Sequence, residues 1–197
     1  MGPEAVVPRI DRRGSRGVVD DASWSRVPVL ALRRAQDGAD PVQPTRVRIA
    51  YDSVGLVVRF DCDDRDIWAT HARRDAPLWE EEVVELFVAP GEPDPTEYVE
   101  IEVNPLGAIF DAHVTNPHGR RDSMRVDARW NAAGLVAAVS RPSPGKWLAD
   151  IEITPIRPEN SIFFFCDVWI KLVERCQLCI LPQVFDQGRS KKFARFL

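Results

Sequence analysis

A two-residue rhythm is the strongest constraint on this chain. In Tyr98–Val103 (YVEIEV), Val99, Ile101 and Val103 alternate with Tyr98, Glu100 and Glu102. Successive side chains of a strand point to opposite faces, so such a segment buries one face and keeps the other polar. A helix would scatter the same residues around its axis. The rhythm recurs in Arg46–Tyr51 (RVRIAY) and, after the turn Asp52–Gly55, in Leu56–Phe60 (LVVRF), which together read as a hairpin. Val83–Val88 (VVELFV) sets Val84 and Leu86 on one face and Glu85 on the other. The turn Asn104–Gly107 leads into Ala108–Val114. Further strands are expected at 125–130, 135–140, 147–153, 162–171 and 193–197. Helix is scarce: residues 66–75 have room for a turn or two, and 171–179 read either way. About ten short strands, punctuated by Pro, Gly, Asn and Asp, predict an all-β fold: an antiparallel β-sandwich of jelly-roll or immunoglobulin-like type.

The length of 197 residues suits one domain. Residues 1–18 are basic and irregular, and are expected to form a loose N-terminal segment. Residues 19–197 show no linker or repeat and read as the domain itself. A formal charge of -4 offers no footprint for nucleic acid. The most apolar stretch, Ile162–Leu181, carries Asp167, Lys171, Glu174 and Arg175, so no membrane span is expected. The first 13 residues lack the apolar run of a secretion signal. The protein is therefore expected in the cytoplasm, or as a secreted or periplasmic protein without its leader. Cys62, Cys166, Cys176 and Cys179 are too few for a disulfide scaffold. Cys176 and Cys179 form a C-x-x-C, but only Cys166 lies near enough to join them on a metal, so inert thiols are the simpler reading. Phosphate-loop, G-x-S-x-G and H-E-x-x-H motifs are all missing.

Three stretches, in order, carry a family likeness. Val19–Trp24 is an Asp-rich turn followed by Trp. Pro77–Val88 is a Trp, an acidic run and a Val-Glu-Leu-Phe strand. Tyr98–Gly107 follows at a fitting distance, and Trp147–Pro155 and Phe193–Phe196 stand where late strands belong. Together they resemble the family 9 carbohydrate-binding modules, which are related to DOMON-like sandwiches. The resemblance spans roughly residues 18–197, and among family members this chain looks closest to bacterial proteins in which sugar binding is inferred. It implies a β-sandwich that binds glucan or xylan chain ends, or mono- and disaccharides, in carbohydrate breakdown. It implies a sugar held between two aromatic rings, and structural calcium.

A pyranose has an apolar face of C–H groups and a rim of hydroxyls. Aromatic rings suit the face, while carboxylates, amides and guanidinium groups suit the rim. In the family, a Trp and a Glu spaced six residues apart contact the sugar, which carries over to Trp79 and Glu85. Asn104 and Arg59 are candidate helpers, and Arg59, Tyr98, Glu100 and Glu102 are expected to share a sheet face with Glu85. Where these modules place a second Trp, this chain has Gln183–Gly188. Phe185 is the nearest ring there, and Trp169 is the alternative. Asp61, Asp63 and Asp64 form an oxygen-rich stretch that is a candidate for calcium.

The reading is thus non-catalytic sugar binding. One rival is a structural or interaction sandwich with no sugar site, which a buried Trp79 would favour. A glycoside hydrolase needs two carboxylates flanking a cleft. A haem-binding sandwich would draw on Met124 and on His71, His113 or His118. Oligomeric state is open.

Overall fold

The structure is a computed structural model that describes residues 7–11, 19–34, 37–90, 96–154, 166–174 and 177–180. Twelve strands are present among them: β1 Leu30–Ala31, β2 Arg33–Arg34, β3 Thr45–Tyr51, β4 Leu56–Asp63, β5 Val83–Pro90, β6 Glu97–Val103, β7 Ile109–Thr115, β8 Arg125–Asp127, β9 Leu135–Ser143, β10 Lys146–Ile153, β11 Cys166–Glu174 and β12 Gln177–Ile180. They form a five-stranded sheet, β1-β3-β4-β10-β9, and a seven-stranded sheet, β2-β12-β11-β5-β6-β7-β8. Every pairing between these strands is antiparallel. This is the expected β-sandwich. Of the ambiguous 171–179 stretch, residues 171–174 belong to β11 and 177–179 to β12, and residues 66–75 form turns and irregular backbone rather than helix. The strand expected at 193–197 lies outside the described residues.

Alternation explains the core. Val84, Leu86 and Val88 of β5 and Val99, Ile101 and Val103 of β6 face inward from one sheet. Val47, Val58, Phe60, Ala149 and Ile151 meet them from the other. Each such Val, Leu, Ile or Phe side chain contributes about 1.5–3 kcal/mol by leaving water.

A second cluster covers the outer face of the five-stranded sheet. Ile10, Val19, Trp24 and Val27 pack on Ala50 and Val57. A one-turn helix, α1 (Asp21–Trp24), delivers Trp24, and Asp20 caps it by accepting from the backbone N–H and hydroxyl of Ser23. Those bonds hold the Asp20 carboxyl below its ordinary range. Part of the N-terminal segment expected to be loose is tied to this sheet: the Ile10 N–H donates to Tyr51 at 2.9 Å, and Ile10 is buried.

The β3–β4 turn is tightly specified. Asp52 accepts from the Val54 and Gly55 N–H groups, and its own N–H donates to the Gly55 carbonyl. A Cβ on Gly55 would strike the carbonyl oxygen of Ile153. We therefore expect Gly55→Ala to cost at least about 1–3 kcal/mol, because backbone cannot yield as a side chain can. Urea unfolding checks this: a midpoint equal to wild type would refute it.

Candidate functional site

The site is built on the outer face of the seven-stranded sheet. Inward Val84 and Leu86 force Glu85 and Phe87 outward, as the sequence implied. Register then lines up a row across three strands: Glu85 of β5 opposes Glu102 of β6, which opposes Phe110 of β7. Glu100 lies in the next row, opposite Phe87. One carboxylate oxygen from each of Glu85, Glu100 and Glu102 lies within 4.8 Å of the others. Glu85 and Glu102 are 1% exposed, so this is a buried acidic floor and not a solvated sheet face. Such a trio accepts hydrogen bonds from hydroxyls, and it is also the described cluster whose geometry could hold a hard cation. Tyr98 shares this face; burial, with the charge of Glu100, pushes its hydroxyl well above the ordinary range.

Trp79 stands at the end of the row. A short 3-10 turn, Leu78–Glu80, precedes β5. Leu78 is fully buried against Val83, Ala108, Phe110 and Ala112, which fixes the turn. Its neighbour Trp79 is 50% exposed. The indole meets the buried Phe110 ring edge-on, with centroids 5.1 Å apart and planes at 74°. The register partner of Phe110 is Glu102, so Trp79 rests one position from the acidic floor.

Two more acids fasten the loop that leads into this turn. Glu81 accepts from the Thr70 N–H at 2.7 Å, from the His71 N–H at 3.2 Å and from the Thr70 hydroxyl. Glu82 accepts from the Trp68 N–H at 2.7 Å. Both are buried. Burial works to raise the Glu81 carboxyl, but the Thr70 and His71 hydrogen bonds and the charge of His71 outweigh it and hold it below the ordinary range. Further along the loop, Arg74 pairs with the fully buried Asp111. Sequence reasoning missed this latch. Its signal was the run Glu80–Glu82, whose last two residues would be costly to bury unless bonded.

Several sequence candidates are placed elsewhere. Asn104 is fully buried and commits its amide to the backbone. Its Nδ2 donates to the His71 carbonyl at 2.7 Å, and its Oδ1 accepts from the Leu106 and Ala108 N–H groups. It shapes the turn, with both ends of its amide bonded to backbone. Arg59 does not share the Glu85 face, because β4 belongs to the other sheet. There it forks onto Asp150 with two 2.7 Å bonds, donates to Asp21 at 2.6 Å and covers the Trp24 ring at 5.3 Å. It clamps α1 to the sheet. Trp169 is the register partner of Phe87, next to the Glu85 row, so β11 brings it to the neighbourhood of the floor. Phe185, and Cys176 of the C-x-x-C, lie outside the described residues.

The aspartates do not suit calcium. Asp63 is held by Lys146 and by Arg46 at 3.1 Å, with the Lys146 bond keeping its carboxyl below the ordinary range. Asp61 faces the same two cations, and Asp64 turns to the Asp66 N–H and to Gln43. Their charges are answered by protein groups and do not converge. Three of the four haem candidates are likewise engaged: Met124 receives the Tyr98 hydroxyl, and His71 and His113 face Glu81 and Glu97. No helix among the described residues is long and apolar enough to cross a membrane.

A family model described as carbohydrate-binding family 9 matches residues 26–177. The chain belongs to that family. Solved structures agree with the fold. A family 9 carbohydrate-binding module from Caldicellulosiruptor kristjanssonii in complex with glucose superposes with a TM-score of 0.64 at 13% identity, covering 92% of each chain. One from the same organism in complex with cellotriose gives 0.63 at 14% identity, covering 94% of this chain and 86% of the other. A curated relative, an "Extracellular protein" of Arthroderma benhamiae, is 29% identical over 121 residues. That match takes in 57% of this chain, which spans about half (54%) of the relative's length. The family 9 fold therefore extends across the acidic floor and the Trp79 turn.

The latch makes a pH prediction for this family 9 domain. Folding lowers the Glu81 value below the ordinary 4.5, so its contribution is complete above that value and is lost as pH falls through the lowered one. In acid below about pH 4.5 the loop should loosen, seen as a change in Trp fluorescence. In Glu81→Gln that acid step should vanish, and neutral-pH stability should fall by about 1–3 kcal/mol, because an amide turns a donor toward N–H groups. An unchanged acid step in the variant would refute the assignment.

Proposed function

We propose that this domain binds a carbohydrate and does not cleave it. One observation carries the reading: a half-exposed Trp79 beside a buried floor of Glu85, Glu100 and Glu102, in a family 9 chain. The sugar's C–H face stacks on the indole, and its hydroxyls donate to the carboxylates. The glucose and cellotriose held by the two similar modules support a gluco-configured sugar or chain end as ligand. The exposure of Trp79 weighs against a purely structural sandwich, since an indole left in water forfeits its burial energy.

A hydrolytic role finds less support. Hydrolysis needs two carboxyl groups set on opposite sides of the scissile bond. Here Glu85, Glu100 and Glu102 crowd one floor on adjacent strands. The sequence offered Trp169 for a second ring, and the clamp of two rings is part of the proposal through that position, the register partner of Phe87.

Titration calorimetry with glucose tests the reading. Trp79→Ala should weaken binding about tenfold or more, the scale of a lost aromatic contact. Glu85→Gln should weaken it by a similar factor, since a charge-assisted hydrogen bond is exchanged for a neutral one. A carbohydrate array without a hit from folded protein would sink the proposal. Reducing-sugar release that disappears in Glu85→Gln would show instead that the domain is catalytic.

A further inference from the structure

A cavity of about 460 Å³ lies away from the acidic floor, lined in part by Thr96, Thr115, His118, Ser123 and Arg125. Register sets its base: Glu97 of β6 opposes Thr115 of β7, which opposes Arg125 of β8. Along β7 this row is five residues from Phe110, roughly 17 Å at about 3.4 Å per residue. Glu97 also falls off the alternation that raises Glu100 and Glu102. The row therefore belongs to the other side of the sheet, two residues before the core residue Val99.

The wall of the cavity is pre-formed. Asn116 is buried, and its N–H donates to the Thr96 carbonyl at 2.6 Å. Its Oδ1 accepts from the Arg120 N–H at 3.1 Å and from the Ser123 hydroxyl at 2.6 Å, which ties the loop after β7 back on itself. The acids at the rim are answered: Asp122 takes Nε of Arg120 at 3.1 Å, and Glu97 faces His113 at 3.3 Å. Arg125 and His118 enter no ion pair among the described residues. An open guanidinium fork grips a carboxylate through two parallel bonds, and threonine hydroxyls suit the hydroxyls of a polyol. The volume is that of a small-molecule site, for which about 300–1,000 Å³ is usual. We propose that this cavity binds a hydroxylated carboxylate of single-sugar size, such as a uronate. Arg125 takes the carboxylate, and Thr96, Thr115 and His118 take hydroxyls. The site stands apart from the neutral sugar at Trp79 and does not depend on it.

Amide NMR of the full chain, titrated with glucuronate, glucose and inorganic phosphate, tests the inference. Glucuronate should shift the Thr115, Ser123 and Arg125 signals. Arg125→Ala should weaken that binding about tenfold, the scale of a lost charge-assisted fork. Arg125→Lys, which keeps the charge and loses the fork, should recover only part of it. The signals of Glu85 and Glu102 report the Trp79 site separately, so either site can fail alone. Wild-type glucuronate affinity in a folded Arg125→Ala overturns the inference, as do glucuronate shifts confined to the Trp79 site. Glucose that moves the same signals with equal affinity overturns the carboxylate's role. Phosphate bound there as tightly as glucuronate overturns the sugar acid in favour of a bare oxyanion.

Discussion

Everything at the site depends on the register of β5 between β6 and β11. Strand β5 is bonded on both edges, to Val99–Val103 of β6 and to Cys166–Val173 of β11. Its inward residues Val84 and Leu86 are fully buried in the core. A slip of one residue would send Glu85 and Phe87 into that core and Val84 and Leu86 out of it. Burying unpaired carboxylates there would cost far more than any contact at the site is worth. The acidic floor is therefore a by-product of core packing: the same alternation that fills the sandwich raises Glu85, Glu100 and Glu102 together on the far side.

Carboxylates do much of the remaining construction. Glu81 and Glu82 satisfy backbone N–H groups of a loop that has no strand partner. Asp111 receives Arg74 and the Ala132 N–H in the interior. Asp150 and Asp21 take the Arg59 fork on the opposite sheet. Exposed Asp21 aside, each of these carboxylates is buried or half-buried only because donors converge on it. The chain's acidic balance, which as composition excluded nucleic acid, is spent largely on holding loops to sheets. That rigidity serves recognition: a platform such as Trp79, on a turn pinned by Leu78, meets its ligand without first being ordered.

The candidate site was legible in the sequence where alternation alone decides. Glu85, Glu100 and Glu102 were expected on one face, and they converge there. Trp79 was expected at a strand entrance, and it stands at one, half exposed. Arg59 shows where alternation fails. Its place on a polar face was readable, but a strand does not announce which sheet it joins, and its partner Asp150 lies 91 residues away. Asn104 fails for another reason. An Asn-Pro-Leu-Gly turn reads the same whether its amide faces solvent or the His71 carbonyl. The aspartates after Phe60 read as a calcium loop because the local sequence does not show Arg46 and Lys146 arriving from two other strands.

The sequence by itself determined the strand rhythm, the sandwich and the family, because a period of two and an ordered set of motifs are local properties. It also determined which residues face away from the core. Only the tertiary structure decided which of those outward residues meet, that the acidic floor is buried, and that Glu81 and Glu82 latch the loop before Trp79. Those outcomes depend on long-range pairing, in which residues far apart in the chain bring each charge its partner.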